Sequence, residues 1–341
     1  MRYDLFPCEG TFYKANLHSH STISDGKLTP VEMRDFYREH GYSILAITDH
    51  EIMADHTDLT LPDFLMINGY EIYVRERQDA PRIAKNFHIN LIARTPDVKK
   101  QIALDPKYLR YIDKNGIKLE DIPRVGGICD RHFCARDFNR IIREANENGY
   151  LVSYNHPGWS LENFEDFSKY DGVYAMEISN YNTSMEGFYE NDAWAYDQML
   201  RLGKMIWCLA NDDNHNKFPY GDPRCDSFGG FNMIKAKALT YEAVIDALEK
   251  GHFYASQGPE IKDAYIEDNA LHVSCSPATC VAIRTVGRAT IRGSVYAPIG
   301  ETITEAVIPL QKEDGYIRIE VTDERCKKAF SHAYSLEGIV E

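Results

Sequence analysis

Short apolar runs recur along the chain, and most of them end at a polar residue that can bind a metal ion. The runs cover residues 11–17, 43–48, 64–67, 87–92, 151–154, 173–176 and 205–210. Apolar runs of this length, bounded by polar residues, predict buried strands. The residues that come just after six of them are His18 and His20, His50, Glu71, His156, Glu177, and Asp213 with His215. Run 87–92 is the exception, because its histidine, His88, lies near its start.

Helical patterns separate many of these predicted strands. Thr29-Pro30-Val31-Glu32 predicts the start of the first helix, since Thr29 can cap it, Pro30 suits its first position and Glu32 completes a capping box. Further helices are predicted over 135–148, 190–202 and 241–250. Alternating strands and helices predict a parallel sheet of α/β class. Seven predicted strands, six of which are followed by a metal-competent residue at the carboxyl end, predict a distorted (β/α)7 TIM-like barrel with its site on that face.

Two stretches break this alternation and set the predicted domain limits. Residues 94–135 are rich in lysine and arginine, and we interpret them as an insertion over the barrel mouth that acts as a lid. An ordinary surface excursion explains this stretch equally well. Beyond residue 258 the pattern alternates as in strands, without a helix, and predicts a small C-terminal β-sandwich-like module. The predicted domains are therefore a barrel over 1–258 and a β module over 259–341.

Composition narrows the classes of partner. The 341 residues carry a formal charge of −14, which argues against bulk nucleic-acid binding, because that binding depends on basic surfaces. No apolar run approaches the length of a membrane span, and the N-terminus lacks the apolar core of a signal peptide. The eight scattered cysteines form no Cys-x-x-Cys pair and fit reduced thiols. We therefore expect a cytoplasmic protein that acts on a small molecule, and the sequence indicates no oligomeric state.

Nine residues are the candidate metal ligands. They are His18, His20, Asp25, His50, Glu71, His88, His156, Asp213 and His215. A single histidine is more often structural than a ligand, but six of the 12 histidines fall at or near apolar strands here, several beside a carboxylate. His18 and His20 are separated by one residue, so an extended backbone directs both rings to one face. Mixed imidazole and carboxylate donors suit divalent zinc, manganese or iron.

The arrangement resembles the PHP (polymerase and histidinol phosphatase) family of metallohydrolases. The matching motifs are His18-x-His20-x4-Asp25-Gly26, the strand ending at Asp49-His50, the isolated Glu71 and the final Asp213-x-His215. The resemblance covers roughly residues 12–258. Residues 253–259, followed by a β module, are similar to a subgroup that includes carbaryl hydrolase. The resemblance implies a metal-dependent hydrolase with two or three divalent ions.

The resemblance also implies how the ligands are shared. One ion would bind His18, His20, Glu71 and Asp213; a second would bind Asp25, His50 and His215; a third would bind Glu71, His88 and His156. Asp25 departs from relatives that have histidine at this position. Asp213 is preferred over Asp212 because the family spacing is Asp-x-His. Asp49 and Glu177 fit carboxylates that orient histidines, and strand-end capping explains them equally well.

A metal cluster of this kind predicts hydrolysis. Divalent ions lower the pKa of a bound water toward neutrality, and two ions can stabilise both oxygens at a phosphoryl centre. We predict a phosphoesterase for a small phosphorylated substrate, with hydrolysis of carboxylic esters, amides or carbamates as the alternative and a non-catalytic metal-holding protein as the third interpretation. The predicted catalytic residues are Asp25, His50, Glu71, His156 and Asp213. The candidate substrate residues are Arg75, Arg77, Arg131, His132 and Trp159, each of which also fits an ordinary surface or packing role.

Overall fold

The computed structural model describes residues 2–80 and 82–341. The first ten strands are β1 (Tyr3–Asp4), β2 (Thr11–Asn16), β3 (Ile44–Ile47), β4 (Leu65–Arg75), β5 (Asn86–Ala93), β6 (Tyr150–Tyr154), β7 (Ala175–Asn180), β8 (Trp207–Asn211), β9 (Phe231–Ala236) and β10 (Phe253–Ser256). The helices are α1 (Pro30–Glu39), α2 (Ala135–Glu147), α3 (Phe164–Phe167), α4 (Tyr181–Met185), α5 (Ala193–Arg201) and α6 (Tyr241–Glu249). The predicted strands and the four predicted helices are confirmed, most of them with small shifts at their ends. Strand β4 is the exception, because it extends eight residues beyond the predicted 64–67 and includes Glu71.

Helix α1 begins as its sequence predicts. The Thr29 hydroxyl accepts a hydrogen bond from the Glu32 amide at 3.3 Å, and the Glu32 carboxylate accepts one from the Thr29 amide at 2.8 Å. Pro30 occupies the first turn, where its missing amide proton costs nothing. The helix buries Met33 and Tyr37 against β3 and its neighbours. The capping box therefore fixes the start of the first helix after the His18–Asp25 segment.

One large sheet runs through the molecule, and it is not wholly parallel. Strands β2, β3 and β4 pair in parallel, as do β6, β7 and β8. Strand β5 pairs antiparallel with both β4 and β6. No helix lies between β4 and β5 in the part of the chain that is described, so the chain turns straight back. The prediction of an all-parallel sheet is wrong at β5, while the mixed α/β class is confirmed.

The reversal of β5 explains the position of His88. Because β5 runs against its neighbours, its first residues lie at the same edge as the carboxyl ends of β4 and β6. His88, near the start of β5, therefore faces the same region as Glu71 on β4 and His156 after β6. The strand that looks exceptional in the sequence supplies its ligand to the common edge by running backwards.

Strand β8 lies at one edge of this sheet, and the segment after it approaches the segment after β2, a strand that pairs with β3 and β9. Ser19 forms an isolated parallel bridge with Asn214. The His20 amide donates to the Asn214 carbonyl at 3.0 Å, and the Asp213 amide donates to the His18 carbonyl at 2.9 Å. Within the described residues, 2–80 and 82–341, no continuous ladder of hydrogen bonds joins β2 to β8. A closed barrel therefore stays a prediction. The bridge nevertheless brings the His18 and Asp213 segments into contact.

The C-terminal module has two layers. Its strands are β11 (Ile261–Glu267), β12 (Ala270–Ala278), β13 (Cys280–Thr285), β14 (Ser294–Tyr296), β15 (Ile303–Pro309), β16 (Tyr316–Thr322), β17 (Lys328–Phe330) and β18 (Tyr334–Ser335). One layer has the order β1-β11-β12-β15, and the other has the order β14-β13-β16-β17. A buried cluster that includes Leu271, Val273, Ile319 and Val321 fills the space between them. This arrangement fits the predicted sandwich-like module.

The module is joined to the large sheet by strand pairing. Strand β17 pairs antiparallel with β10, and β10 pairs antiparallel with β9. The N-terminal β1 pairs with β11, so the first residues of the chain belong to the sheet of the module. The limits 1–258 and 259–341 remain a prediction, and this pairing crosses them twice. Across residues 2–80 and 82–341, every helix is too short or too polar to cross a membrane.

Candidate metal centre

His18 and His20 converge on one carboxylate after β2. Their Nε2 atoms lie 3.1 and 2.9 Å from Asp213 Oδ1, and 3.3 Å from each other. Glu71 approaches the same nitrogens, at 3.4 Å from His18 and 3.6 Å from His20. We call His18, His20 and Asp213 group 1. These donor atoms lie close enough to bind one ion together.

Asp25, His50 and His215 form group 2, next to group 1. Asp25 Oδ1 lies 3.4 Å from His215 Nε2 and 3.8 Å from His50 Nε2. The same oxygen is 4.0 Å from His20 Nδ1, so His20 lies between the two groups. Asp25 Oδ1 is a buried atom without a hydrogen-bond partner. An acceptor left unpaired among histidines fits a site that a cation completes.

Glu71, His88 and His156 form group 3. Glu71 Oε1 lies 2.8 Å from His88 Nδ1 and 3.6 Å from His156 Nε2. The other oxygen, Oε2, lies 2.8 Å from His50 Nδ1 in group 2. Glu71 is almost fully buried, at 1% exposure. Its carboxylate therefore touches ligands of all three groups, the arrangement that a bridging ligand requires.

Asp213 and Asp212 have different surroundings, which separates the two candidates. Asp213 has a positive φ of 52°, and its carboxylate faces the histidines. The Asp212 carboxylate points away and accepts hydrogen bonds from the Tyr37 hydroxyl at 2.7 Å and from three successive backbone amides, those of 228–230. Asp212 therefore supports the loop before β9, and only Asp213 is available to the centre.

Glu177 and Asp49 support the centre in different ways. Glu177 Oε1 lies 2.8 Å from His18 Nδ1, so a proton shared there leaves His18 Nε2 free to face group 1. Asp49 instead accepts hydrogen bonds from the amide and hydroxyl of Ser21 and of Ser24. Its contacts hold the loop between His20 and Asp25, and no histidine ring contacts Asp49 directly in the described residues.

Burial and charge act in opposite directions on the titratable groups of the centre. Burial raises the pKa of Glu71, but the charges of His88, His18 and His50 outweigh it and hold the pKa well below its ordinary value. Burial lowers the pKa of His50, yet the Glu71 carboxylate beside it raises the pKa to about 9. Without another cation, protons on histidines must balance the carboxylates. Divalent ions can supply the same compensation, so nitrogen and oxygen donors here fit bound metal.

A cavity of about 210 Å³ opens directly on the three groups. Three cationic side chains line it, those of Arg75, Arg110 and Lys217. Its aromatic walls are Tyr73, Tyr111 and Trp159. The predicted substrate residues Arg75 and Trp159 are therefore at the cavity. The Trp159 indole packs edge-on against His88 and His156 and donates to Glu186 at 2.7 Å.

The other three predicted substrate residues lie away from this cavity. Arg77 is an exposed residue whose guanidinium lies 3.4 Å from Asp79. Arg131 is buried, with its guanidinium 3.0 Å from Glu51 and over the Tyr108 ring. His132 is exposed, between Asp130 and Asp137. Their assignment as substrate residues is corrected, because each is engaged by a neighbour outside the cavity lining.

Sequence reasoning missed six residues of the cavity lining, which are Tyr73, Arg110, Tyr111, Asn182, Glu186 and Lys217. Arg110 and Tyr111 belong to the predicted insertion over residues 94–135. Its many lysines and arginines indicated a lid, but they did not identify individual residues of the site. Lys217 comes two residues after His215, and nothing in the local sequence distinguishes it from a surface lysine. The insertion also has its own small apolar cluster, which includes Leu104, Leu109 and Ile122.

Comparisons with known proteins give only weak similarities. No protein-family model matches the chain, and no curated protein matches it. A two-domain protein of Bacteroides vulgatus containing a predicted PHP-like metal-dependent phosphoesterase is 15% identical, with 98% of this chain and 97% of that chain covered and a TM-score of 0.45. A proposed metal-dependent phosphoesterase of Bifidobacterium adolescentis is 14% identical, with coverage of 63% and 91% and a TM-score of 0.38. An amidohydrolase of Chromobacterium violaceum with bound sulfate and no metal is 16% identical, with coverage of 62% and 93% and a TM-score of 0.35. Similarity this weak supports no conclusion about this chain.

Proposed function

We propose that the protein is a metal-dependent phosphoesterase of PHP type that hydrolyses a small phosphorylated substrate. Groups 1, 2 and 3 would hold two or three divalent ions, with Glu71 shared among them. Zinc, manganese and iron all fit the mixed nitrogen and oxygen donors. When bound, such ions supply Lewis acidity and lower the pKa of a coordinated water. The predicted catalytic residues, Asp25, His50, Glu71, His156 and Asp213, act here as the ligands next to the reacting atoms.

The cationic lining of the cavity is the observation that carries the choice of a phosphoester. Arg75, Arg110 and Lys217 surround the same small space as the metal-competent groups. Arg75 Nε is buried and has no hydrogen-bond partner among the described residues. A phosphate ester has several charged oxygens to share, and guanidinium groups match them with paired hydrogen bonds. A neutral carbonyl substrate would leave these cations without a partner.

The other side chains of the centre fix geometry and exclude water. Glu177 keeps the proton of His18 on Nδ1, so that Nε2 faces Asp213. The Trp159 indole, held by Glu186, covers His88 and His156 from the solvent side. The substrate phosphate would then lie between the cations and the three groups. In this arrangement the protein binds and orients the phosphate while no serine or cysteine nucleophile is needed.

The test compares aryl phosphates with aryl esters on protein whose metals have been restored. We expect release of 4-nitrophenol from 4-nitrophenyl phosphate or from bis(4-nitrophenyl) phosphate, and a raised KM in Arg110→Met. Loss of one charged hydrogen bond predicts a rise of about 10-fold or more in KM. Arg77→Met is the matched control, since Arg77 is exposed outside the cavity, and its kinetics should equal those of the wild type. Absence of hydrolysis across a broad panel of phosphate monoesters and diesters would refute the proposal.

A second candidate function is hydrolysis of carboxylic esters, amides or carbamates. The aromatic walls formed by Tyr73, Tyr111 and Trp159 favour it, because they suit an aryl leaving group. It predicts turnover of 4-nitrophenyl acetate that exceeds turnover of 4-nitrophenyl phosphate, with little effect of Arg110→Met. Bound metal without hydrolysis of either substrate class would instead indicate a metal-holding protein without catalytic activity.

A further inference from the structure

The two oxygens of the Asp25 carboxylate have different surroundings. Oδ2 accepts a hydrogen bond from the Tyr111 hydroxyl at 3.2 Å. Oδ1 has no hydrogen-bond partner and lies within 4.0 Å of nitrogens of His215, His50 and His20. The hydroxyl therefore occupies one oxygen and leaves the other directed at the histidines of group 2. A carboxylate fixed in this way offers a single oxygen to an ion.

Tyr111 is itself held over the centre by its own segment. Its ring lies nearly parallel to the His50 ring, at 16° and 6.3 Å between centroids. Lys114 donates to the carbonyls of Thr22 and Ser24, and Asn115 donates to the Ile23 carbonyl at 2.8 Å. The turn that follows Tyr111 therefore binds the three successive carbonyls before Asp25.

Asp49 also holds the loop that carries Asp25. Its carboxylate accepts from Ser21 and Ser24, through both their amides and their hydroxyls. The loop carrying Asp25 has no strand or helix of its own, and these two sets of contacts hold it together with the backbone bonds from Gly26 to Ser21 and from Lys27 to His215. Asp49 fixes the backbone near Ser24, while Tyr111 is the residue that reaches the Asp25 carboxylate itself.

We propose that Tyr111, supplied by the insertion over residues 94–135, is a positioning residue that prepares Asp25 for binding a metal ion in group 2. The inference rests on the metal centre of the proposed function and deepens it, since it makes the insertion part of the metal site. Without the hydroxyl, the Asp25 carboxylate can rotate, and both oxygens face water in its part-exposed position. The Asp25 carboxylate would then lose rotational freedom when it binds the ion, and this loss of entropy would weaken metal binding.

The experiment measures metal binding to the metal-free protein, without substrate. Calorimetric titration with Mn²⁺ alone resolves the binding steps, and Asp25→Ala identifies which step belongs to group 2. Tyr111→Phe removes only the hydroxyl, and we expect it to weaken that same step about 10-fold while the other steps stay unchanged. Tyr108→Phe is the matched control, because its hydroxyl contacts the Arg75 amide and Gln78 and no metal-competent carboxylate.

A structural role of the segment gives a different result. Asn115→Ala loosens the contact with Ile23 and keeps the Tyr111 hydroxyl, so the group 2 step should weaken less than in Tyr111→Phe. Equal weakening in both variants, weakening of every step, or wild-type binding in Tyr111→Phe would each overturn the inference. Mn²⁺ binding with no hydrolysis of phosphate monoesters or diesters would refute the proposed function and leave the role of Tyr111 intact, so the two failures are distinguishable.

Discussion

The centre around Glu71 and the junction around Arg318 bury charge in opposite ways. At the junction, the Arg318 guanidinium binds Asp197 through two nitrogens, at 2.7 and 2.9 Å, and Glu320 through the third at 2.8 Å. Glu320 also pairs with Arg284 and Lys328. Both carboxylates there, the buried Glu320 and the part-buried Asp197, have a permanent cation beside them. These ion pairs link α5 to β16 of the C-terminal module.

Around Glu71 the carboxylates have histidines as their only close groups that can carry a positive charge, within the described residues. Glu71, Asp213 and Glu177 are buried and accept hydrogen bonds from neutral asparagine amides, while the imidazoles beside them have a charge that depends on protons. A buried ion pair with arginine is complete without any ligand, whereas carboxylates facing histidines can exchange protons for metal ions. At the junction, arginine and lysine side chains of the chain itself neutralise the carboxylates. At the centre, the carboxylates are neutralised only when protons or metal ions bind. Removing the central residue of each region should therefore have different consequences.

The largest effect is expected from Glu71→Ala. Glu71 contacts His18, His50, His88 and His156, so its loss should remove more than one equivalent of metal and reduce turnover by at least about 100-fold. Elemental analysis of the purified protein measures the metal content. The free energy of unfolding of the metal-free protein should change little, because the substitution breaks no ion pair with a permanently charged side chain.

Glu162→Gln is the matched control for Glu71→Ala. Glu162 is also a buried carboxyl group, but its oxygens accept hydrogen bonds from Tyr154 and Tyr170 and it contacts no candidate ligand. Its metal content should equal that of the wild type. Unchanged metal content in Glu71→Ala would contradict the bridging assignment.

The next effect is on stability, through Arg318→Met. This change leaves Asp197 and Glu320 without their shared cation in a site where the arginine side chain is fully buried. Breaking a buried pair by removing one partner costs about 3–5 kcal/mol. Urea unfolding should show this loss, and elemental analysis should find unchanged metal content. Arg284→Met is the control, since Arg284 is half-exposed and its pair with Glu320 should contribute about 1 kcal/mol or less.

The ligands could be predicted from the sequence because they belong to short segments with strong local signals. His18 and His20 follow a strand at a spacing that fixes their common direction, and Asp213-x-His215 lies where β8 ends. The Thr29–Glu32 capping box is equally local. In each case, residues within one turn or strand determine the geometry. That is why the structure brings all nine candidates together.

The residues that sequence reasoning missed depend on contacts between distant segments. The direction of β5 is set by pairing with β4 and β6, and apolar periodicity carries no information about strand direction. Arg110 and Tyr111 reach the cavity because their turn binds the loop at residues 22–25, about 90 positions earlier. Arg131 is buried by Glu51 and Tyr108, a pairing that no local pattern indicates.

The smallest predicted effect concerns His332, a titratable side chain that is buried in its neutral form at the junction. His332 is fully buried between Trp207 and Phe253, and its Nδ1 accepts a hydrogen bond from the Cys208 amide at 3.2 Å. Burial lowers the pKa of His332 to about 3, so the ring is neutral in the folded protein. With a folded pKa below the ordinary 6.5, the unfolded chain binds the proton first as pH falls.

Stability from His332 is therefore complete above pH 6.5 and is lost as pH falls toward 3. Between pH 6.5 and pH 5 the loss should be about 1.5 kcal/mol. In His332→Asn the amide oxygen can accept from Cys208 without titrating, so the variant should lose that much less stability over the same interval. Urea unfolding of both proteins in the metal-free form, at matched pH values, measures the difference. Parallel pH profiles for the two proteins would mean that His332 takes up its proton at the same pH in the folded and the unfolded chain, and would contradict a pKa lowered by burial.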